Sequence, residues 1–511
     1  LMDPGRRTWR YVAGAGLWSG SGFQRPTPGF PGVFNLAFRF NESQPRGRGS
    51  WFEAGQAAAL AGATSGRFRA DVDFGRLARG ATRWIHAPGR KQARIYPSRL
   101  NLHEGVRDGF PAFGGRLQPY LVTVPRSYRR TGRAGVTFAL HSLSASYTQY
   151  AVFAPRQQRQ LGDDAGRFHV TPLSRGPDGW YTDEAEVDFF EAWADLARRF
   201  RLDPRRVALS GYSMGGYGTY KLGLQWPDLF GAAFTTVGPP LFPGHVNTMR
   251  LVENARWLPY LNWAGRNDEL VPIGVVRAQQ QRFDELGLRS QLWTFAGGHV
   301  DLAAGDRWEA AGAFLTGALV QRDPRRVDYA FMPSADSERL GLVHDHAYWV
   351  SRLRVRSRRG DPRAGPARGL ISALSSAPTR GFGRAGDQQV TRVTSWNGKP
   401  PRPESVAGTK WERIRNVPPE NRLRVRLENV GRASIDGRRA GLTGRRCLHV
   451  QIASDGPARV RLHLPFSRGA RARHGRFCRT SAPVARNVAL GRGGATFRAP
   501  SGTHSWVILT E

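Results

Sequence analysis

The pattern of apolar and polar positions changes twice along this 511-residue chain. From residue 1 to 113, short apolar stretches such as 33–38 and 68–74 lie between Gly and Pro, which favours short strands. From 114 to 322, nearly continuous apolar runs alternate with helix-length segments, the pattern of an α/β domain. Over 323–511, strict alternation indicates half-buried strands. We therefore predict a β-rich N-terminal domain, a central α/β domain and a C-terminal β-sandwich-like domain, since this length exceeds what one core supports.

The central segment predicts a mostly parallel sheet covered by helices. Its apolar runs are those expected of strands buried on both faces, and we place strands at 136–140, 207–209, 232–237, 257–263 and 291–295. Amphipathic spacing predicts helices between them, at 186–200, 218–225, 273–286 and 307–320.

The C-terminal segment alternates apolar residues with arginine. This period of two is clearest at 352–356, 422–427 and 459–464, and it predicts antiparallel strands with one buried face. The intervening residues 357–379 are rich in Arg, Gly, Pro and Ser, so we predict a loop or a partly disordered linker there.

A Gly-x-Ser-x-Gly motif, centred on Ser213 with Gly211 and Gly215 on either side, follows the predicted strand 207–209. In a nucleophile elbow, the serine sits on a sharp turn between a strand and a helix, and small flanking residues allow the two to approach. A glycine-rich turn produces the same five letters by chance, but the predicted strand before it and helix after it favour the elbow.

An acid and a histidine follow Ser213 in the order that α/β-hydrolases use. Asp268 comes after the strand predicted at 257–263, and His299 comes after the strand at 291–295. A serine hydroxyl needs a histidine to accept its proton and a carboxylate to orient that histidine. Glu269 is the nearest rival to Asp268, whereas His141 precedes the serine.

From about residue 118 to 320, the sequence resembles the α/β-hydrolase superfamily, in the branch of esterases similar to polyhydroxybutyrate depolymerases and prolyl-oligopeptidase-like hydrolases. The matching motifs are at 211–216, 265–272 and 297–299. The resemblance implies Ser213 as nucleophile, Asp268 as the acid of the triad and His299 as general base. It implies hydrolysis of a carboxylic ester through an acyl-enzyme, with no cofactor.

Two backbone N–H groups are expected to form the oxyanion hole. One belongs to Met214, the residue after the nucleophile, and the other to the loop after the strand 136–140. In the family this loop usually begins His-Gly, but here it reads His141-Ser142, so the second donor is either Ser142 or Leu143.

Four aromatic residues lie near predicted loops at the catalytic edge and are candidates for an apolar cleft that binds an acyl or aromatic group: Tyr147, Trp180, Tyr181 and Tyr212. Core packing is the alternative role for such residues. The pair His344 and His346 lacks further ligands at a recognisable spacing, so we predict no metal site.

The formal net charge is +36, and it comes almost entirely from arginine spread over the whole chain, since lysine occurs only at positions 91, 221, 399 and 410. We expect nonspecific adsorption to polyanions at low salt and no specific nucleic-acid partner. No apolar run approaches the ~20 residues that span a bilayer, so we expect a soluble protein without a membrane partner.

The two cysteines, Cys447 and Cys478, suit a single disulfide in an oxidising compartment, with two buried thiols as the alternative. The first residues contain no apolar signal-peptide core. We expect a secreted or extracytoplasmic protein on the strength of the cysteines.

The substrate is expected to be a small or polymeric ester, such as a polyester or a feruloylated polysaccharide. A prolyl-oligopeptidase-like peptidase is the alternative, although about 110 N-terminal residues are too few for a propeller with ~40 to 50 residues per blade. A second alternative is an inactive hydrolase scaffold that binds a polyanion.

Overall fold

The computed structural model describes two short strands at 9–12 and 16–19, and then residues 88–102, 115–377 and 386–510. Within these ranges it leaves out residues 144, 318, 363, 364, 396, 397, 417, 476, 477, 479, 480 and 482. The strands predicted at 33–38 and 68–74, and with them most of the predicted domain 1–113, lie outside the described residues.

The first part of the chain contains ten described strands: Trp9–Val12 (β1), Gly16–Ser19 (β2), Lys91–Pro97 (β3), Leu117–Thr123 (β4), Ala134–Leu140 (β5), Arg167–Pro172 (β6), Leu202–Tyr212 (β7), Ala232–Thr236 (β8), Tyr260–Gly265 (β9) and Ser290–Phe295 (β10). Its described α-helices are Gln149–Val152 (α1), Pro155–Leu161 (α2), Glu184–Arg199 (α3), Met214–Gln225 (α4), Ile273–Glu285 (α5), Asp301–Gly305 (α6) and Glu309–Thr316 (α7). Short 3₁₀ segments occur at Asp163–Ala165 and Thr248–Trp257.

The second part is built of strands: Arg326–Phe331 (β11), Val350–Val355 (β12), Gly369–Ser375 (β13), Gly386–Val393 (β14), Ser405–Asn416 (β15), Arg422–Glu428 (β16), Val430–Asp436 (β17), Leu448–Ser454 (β18), Ala458–His463 (β19), Arg471–His474 (β20), Val488–Gly491 (β21), Gly494–Ala499 (β22) and Gly502–Leu509 (β23). Two 3₁₀ turns, Pro333–Ala335 and Glu338–Leu340, precede β12.

A ten-stranded sheet in the order β14-β15-β10-β9-β8-β7-β5-β6-β4-β3 forms the central layer. Strands β5 to β10 pair in parallel, and the two strands at each end are antiparallel. All residues of β5, β6, β8 and β9 are buried. The apolar runs predicted β5, β8 and β9, whereas β6 was not predicted. This is the α/β-hydrolase core that the sequence predicted. The sheet takes one strand from before residue 114 and two from after residue 322, so it is not confined to 114–322.

The predicted helices and strands of this core are present, with shifted ends. Helix α3 buries Phe189, Ala192 and Leu196 on one face, and its acidic first turn and basic last turn suit the helix dipole. The strand predicted from residue 257 begins at Tyr260, because the preceding residues form the 3₁₀ segment Thr248–Trp257.

Two further sheets, β11-β13-β16-β18-β23-β20 and β12-β17-β19-β22-β21, share one apolar cluster. Alternate residues such as Leu423, Val425 and Leu427 enter this cluster, while the arginines between them face outward. The pairs β16–β18 and β17–β19 are parallel, whereas the alternating pattern predicted antiparallel strands only. The prediction of a loop over 357–379 is wrong at β13, which pairs with β11 and β16.

None of the helices in the described residues combines the length and the apolarity that crossing a bilayer requires.

Candidate active site

Ser213 occupies the sharp turn between β7 and α4. Its φ of 56° lies in the left-handed region, and its N–H donates to the carbonyl of Thr236 at 2.9 Å. A Cβ on Gly211 would lie 2.0 Å from the carbonyl oxygen of Gly215, and a Cβ on Gly215 would lie 1.9 Å from that of Leu140. The motif therefore needs glycine at both positions, because the strand and helix approach backbone to backbone.

The side chains of Ser213, Asp268 and His299 form one hydrogen-bonded chain. His299 Nε2 lies 2.8 Å from Ser213 Oγ, and Nδ1 lies 3.0 Å from both carboxylate oxygens of Asp268. A carboxylate only accepts, so Nδ1–H is the donor to Asp268, and Nε2 of the neutral ring accepts from the serine hydroxyl. The structure thus brings together the three residues that the motif order predicted.

Asp268 is held in place by the backbone of its own turn. Its Oδ1 accepts hydrogen bonds from the N–H groups of Leu270 at 2.9 Å and Val271 at 2.7 Å. The Asp268 and His299 side chains are both buried. A buried carboxylate with fixed donors presents its charge to the imidazole in one orientation.

The backbone N–H and C=O of His299 both form hydrogen bonds with side chains of residues that adjoin Asp268 and Ser213 in the sequence. The carboxylate of Glu269 accepts from the His299 N–H at 3.0 Å, and the Tyr212 hydroxyl donates to the His299 carbonyl. Asp301 also accepts from the N–H of Gly298, at 2.6 Å. Sequence reasoning missed these contacts, although Glu269 and Tyr212 adjoin Asp268 and Ser213 in the chain.

The loop after β5 has one of its two candidate oxyanion donors already engaged. The N–H of Ser142 donates to the side-chain oxygen of Gln149 at 2.6 Å, and the Ser142 hydroxyl donates to the Tyr212 carbonyl. This argues against Ser142 as the second donor and leaves Leu143. Met214 is the first residue of α4, where a backbone N–H has no intrahelical acceptor.

All four of the predicted cleft residues are buried. Tyr147 lies in a small apolar cluster with Leu121 and Leu173. Tyr181 is fully buried and donates to the carbonyl of His141 at 3.1 Å, and Tyr212 is buried beside His299. These placements give the three tyrosines packing and positioning contacts, which differs from the predicted open cleft.

Trp180, the fourth predicted cleft residue, belongs to an aromatic stack beside the elbow helix. Its ring lies 4.0 Å from that of Phe242 and 4.9 Å from that of His245, both nearly parallel, and it meets Tyr217 of α4 edge-on at 5.5 Å. Trp180 Nε1 donates to Asp178, and burial raises the pKa of that carboxyl. The stack therefore packs against the first turn of α4, the helix that begins after Ser213.

The histidines that suggested a metal have other partners. His344 lies between Asp336 and Glu186, and His346 pairs with Asp345. Elsewhere in the described residues, one ligand atom each of Cys447, His449 and Cys478 lie within 4.8 Å of one another. The two cysteines are joined by a disulfide, which occupies both sulfurs.

Comparison with protein families finds one match that contains the turn at Ser213. The model of the prolyl oligopeptidase family matches residues 179–242. Cutinase est2 of Thermobifida alba is 43% identical over 63 residues, which are 12% of this chain and 19% of that protein. The chain thus spans about a fifth of the length of the curated relatives it matches.

Among solved structures, a ferulic acid esterase aligns with 44% of this chain and 98% of its own, at 16% identity and a TM-score of 0.36. A fluorophosphonate-binding serine hydrolase of Staphylococcus aureus aligns with 45% of this chain and 100% of its own, at 18% identity and a TM-score of 0.37. The strand order and the parallel pairing of β5 to β10 are those of an α/β-hydrolase fold, and a stretch of 63 residues is similar to cutinases.

Proposed function

We propose that the protein is a serine hydrolase that cleaves carboxylic esters through an acyl-enzyme. The observation that carries this proposal is the hydrogen-bonded chain from Ser213 through His299 to Asp268 at the carboxyl end of β7. In open α/β sheets, ligands bind outside the carboxyl ends of the parallel strands, at the point where the strand order reverses.

In the proposed reaction, Ser213 Oγ attacks the ester carbonyl while its proton passes to His299 Nε2. The C–O bond to the alcohol then breaks, and the imidazolium returns the proton to the departing alcohol oxygen. A water repeats the sequence and releases the carboxylic acid. Asp268 stabilises the imidazolium, and the N–H groups of Met214 and Leu143 are the proposed donors to the oxyanion.

An ester is favoured over a peptide bond because a stretch of 63 residues is 43% identical to cutinases. The same similarity supports a polymeric ester as substrate. The match of residues 179–242 to the prolyl oligopeptidase family supports a peptidase as the second candidate.

A secreted or extracytoplasmic location remains part of the proposal. The disulfide between Cys447 and Cys478 supports it, because disulfides persist in oxidising compartments. We retain the three-domain division at about residues 113 and 322 as a proposal, with strands from both flanking segments completing the central sheet.

A fluorophosphonate probe tests the nucleophile. We expect it to label the intact protein and to fail on Ser213→Ala. Ser210→Ala is the matched control, because Ser210 lies on the same strand with its hydroxyl buried. Labelling that persists in Ser213→Ala contradicts the proposal.

A substrate panel tests the bond. We expect p-nitrophenyl acyl esters to be hydrolysed much faster than matched aminoacyl anilides, and the reverse ranking moves the assignment to a peptidase.

A further inference from the structure

The outward face of strands β16, β18 and β23 contains a small polar cavity. Its residues lie more than 200 positions after Ser213 in the sequence. Cross-strand register places Arg422 opposite His449 and Arg424 opposite Gln451, and Gln451 lies opposite Ser505 of β23. These five side chains line a cavity of about 230 Å³, together with Val450, Gly475 and Trp506. We call it the Arg424 cavity.

Of the two arginines that line the Arg424 cavity, Arg422 is paired with a carboxylate. Arg422 Nε lies 2.9 Å from the carboxylate of Glu420, so that charge is offset. Within the described part of the chain, Arg424 has no acidic partner, and its side chain is exposed. The cavity therefore offers about one net positive charge, which suits a monoanion better than a dianionic phosphate.

Gln451 and Ser505 add uncharged hydrogen-bonding groups to the cavity, and Gln451 Nε2 lies 3.5 Å from Ser505 Oγ. A guanidinium binds a planar carboxylate through two parallel hydrogen bonds. The Gln451 amide and the Ser505 hydroxyl each both donate and accept, which matches hydroxyl groups beside the carboxylate. A volume of about 230 Å³ is below the usual ~300 to 1,000 Å³ of sites for larger ligands, so a single ring is the right size.

From this combination we propose that the Arg424 cavity binds a sugar acid, with the carboxylate on Arg424 and sugar hydroxyls on Gln451 and Ser505. Single-stranded nucleic acid is disfavoured, because binding it needs exposed aromatic rings on which bases stack, and Trp506, the aromatic residue of the cavity, is fully buried. The site does not depend on hydrolase activity. The sugar acid is either free or a unit of an acidic polysaccharide.

Isothermal titration calorimetry with glucuronate, and with glucose as the neutral control, tests the site. We expect saturable binding of glucuronate and none of glucose. Arg424→Gln should weaken glucuronate binding about tenfold or more, since it removes a charged bidentate contact. Arg426→Gln is the matched control: Arg426 faces outward on the same strand but pairs with Glu428 at 3.0 Å. It should change the affinity less than about twofold.

Polygalacturonate distinguishes the two sources of the sugar acid. Tighter binding of the polymer than of the monomer indicates a polysaccharide, and equal binding per sugar unit indicates the free acid. Either result supports the proposed site if Arg424→Gln abolishes the binding. Absence of binding, or equal losses in Arg424→Gln and Arg426→Gln, overturns the proposal. Displacement of glucuronate by duplex DNA with the same dependence on Arg424 also overturns it, in favour of nucleic acid. Ester hydrolysis and melting temperature, unchanged in both variants, show that each is folded.

Discussion

The hydroxyl of Tyr212 donates a hydrogen bond to the backbone carbonyl of His299, so the residue before the proposed nucleophile holds the residue that supplies the proposed base. Glu269, the residue after Asp268, accepts from the His299 N–H. The two contacts fix both ends of one peptide segment. The position of the imidazole therefore depends on the chain neighbours of Ser213 and Asp268.

Tyr212→Phe should lower kcat while leaving KM nearly unchanged, because the change removes one hydroxyl that touches no substrate. A net hydrogen bond contributes about 0.5 to 1.5 kcal/mol, so the loss in kcat should be about 2- to 10-fold. Steady-state kinetics on a p-nitrophenyl ester measures it. Tyr217→Phe is the control: its hydroxyl donates to the Val246 carbonyl at 3.1 Å in the same region. An equal fall of kcat in both variants contradicts a positioning role for Tyr212.

Glu269 is tested by comparing two substitutions. Glu269→Ala removes the acceptor for the His299 N–H and should lower kcat about 3- to 10-fold. Glu269→Gln keeps a carbonyl oxygen in the same place, so it should retain most of the activity. If Glu269→Gln loses as much as Glu269→Ala, the charge of Glu269 matters and not its position as an acceptor. Activity measured over a pH series separates these cases, since only a lost charge shifts the profile of the general base.

The core of the fold and the meeting of Ser213, Asp268 and His299 could be predicted because both follow from local patterns. Fully apolar runs mark strands of a parallel sheet, and the carboxyl ends of such strands lie at one edge. The order of the motifs then places three chemically suited side chains at that edge.

Features that depend on distant pairing could not be predicted in this way. Strands β3, β14 and β15 belong to the central sheet although they lie far from most of its strands in the sequence. The sequences of these three strands do not indicate which strand each one pairs with. Strand β13 was missed because its apolar and polar residues do not alternate strictly and because it lies inside a loop-like composition. The engagement of the Ser142 N–H depends on Gln149, a contact that a general motif does not encode.

Three buried ionisable side chains, Glu186, Lys221 and His344, together with the partly buried Asp336, connect α3 and α4 to the segment before β12. Burial alone would lower the pKa of His344, but hydrogen bonds to Asp336 and Glu186 outweigh it and raise the pKa above its ordinary value. The folded state therefore favours the imidazolium. Its contribution to stability is fully present below the unfolded pKa of about 6.5 and is lost as pH rises through the folded pKa.

We accordingly expect the melting temperature of the wild type to fall as the solution passes from weakly acidic to weakly alkaline. His344→Gln should remove much of this slope and lower stability mainly on the acidic side. His346→Gln is the control, since His346 is about half exposed and its pair with Asp345 is screened by solvent. Calorimetric melting over a pH series measures the slopes, and identical slopes in wild type and His344→Gln contradict the assignment.

Gly215→Ala should disrupt the elbow itself. The added methyl group would lie 1.9 Å from the Leu140 carbonyl oxygen and 2.8 Å from that of His141, and these backbone atoms belong to the end of β5 and to the loop that contains the proposed second oxyanion donor. Either α4 moves away from β5 or that loop shifts, and both separate Met214 N–H from Leu143 N–H. We expect a loss of ester hydrolysis of about 10²-fold or more, the size seen when an oxyanion donor is removed.

Gly274→Ala is the control, because a methyl group there meets nothing within 4 Å on helix α5, and alanine should stabilise it by up to about 1 kcal/mol. Full activity in Gly215→Ala would mean that the strand and helix are not packed as tightly as the turn at Ser213 requires.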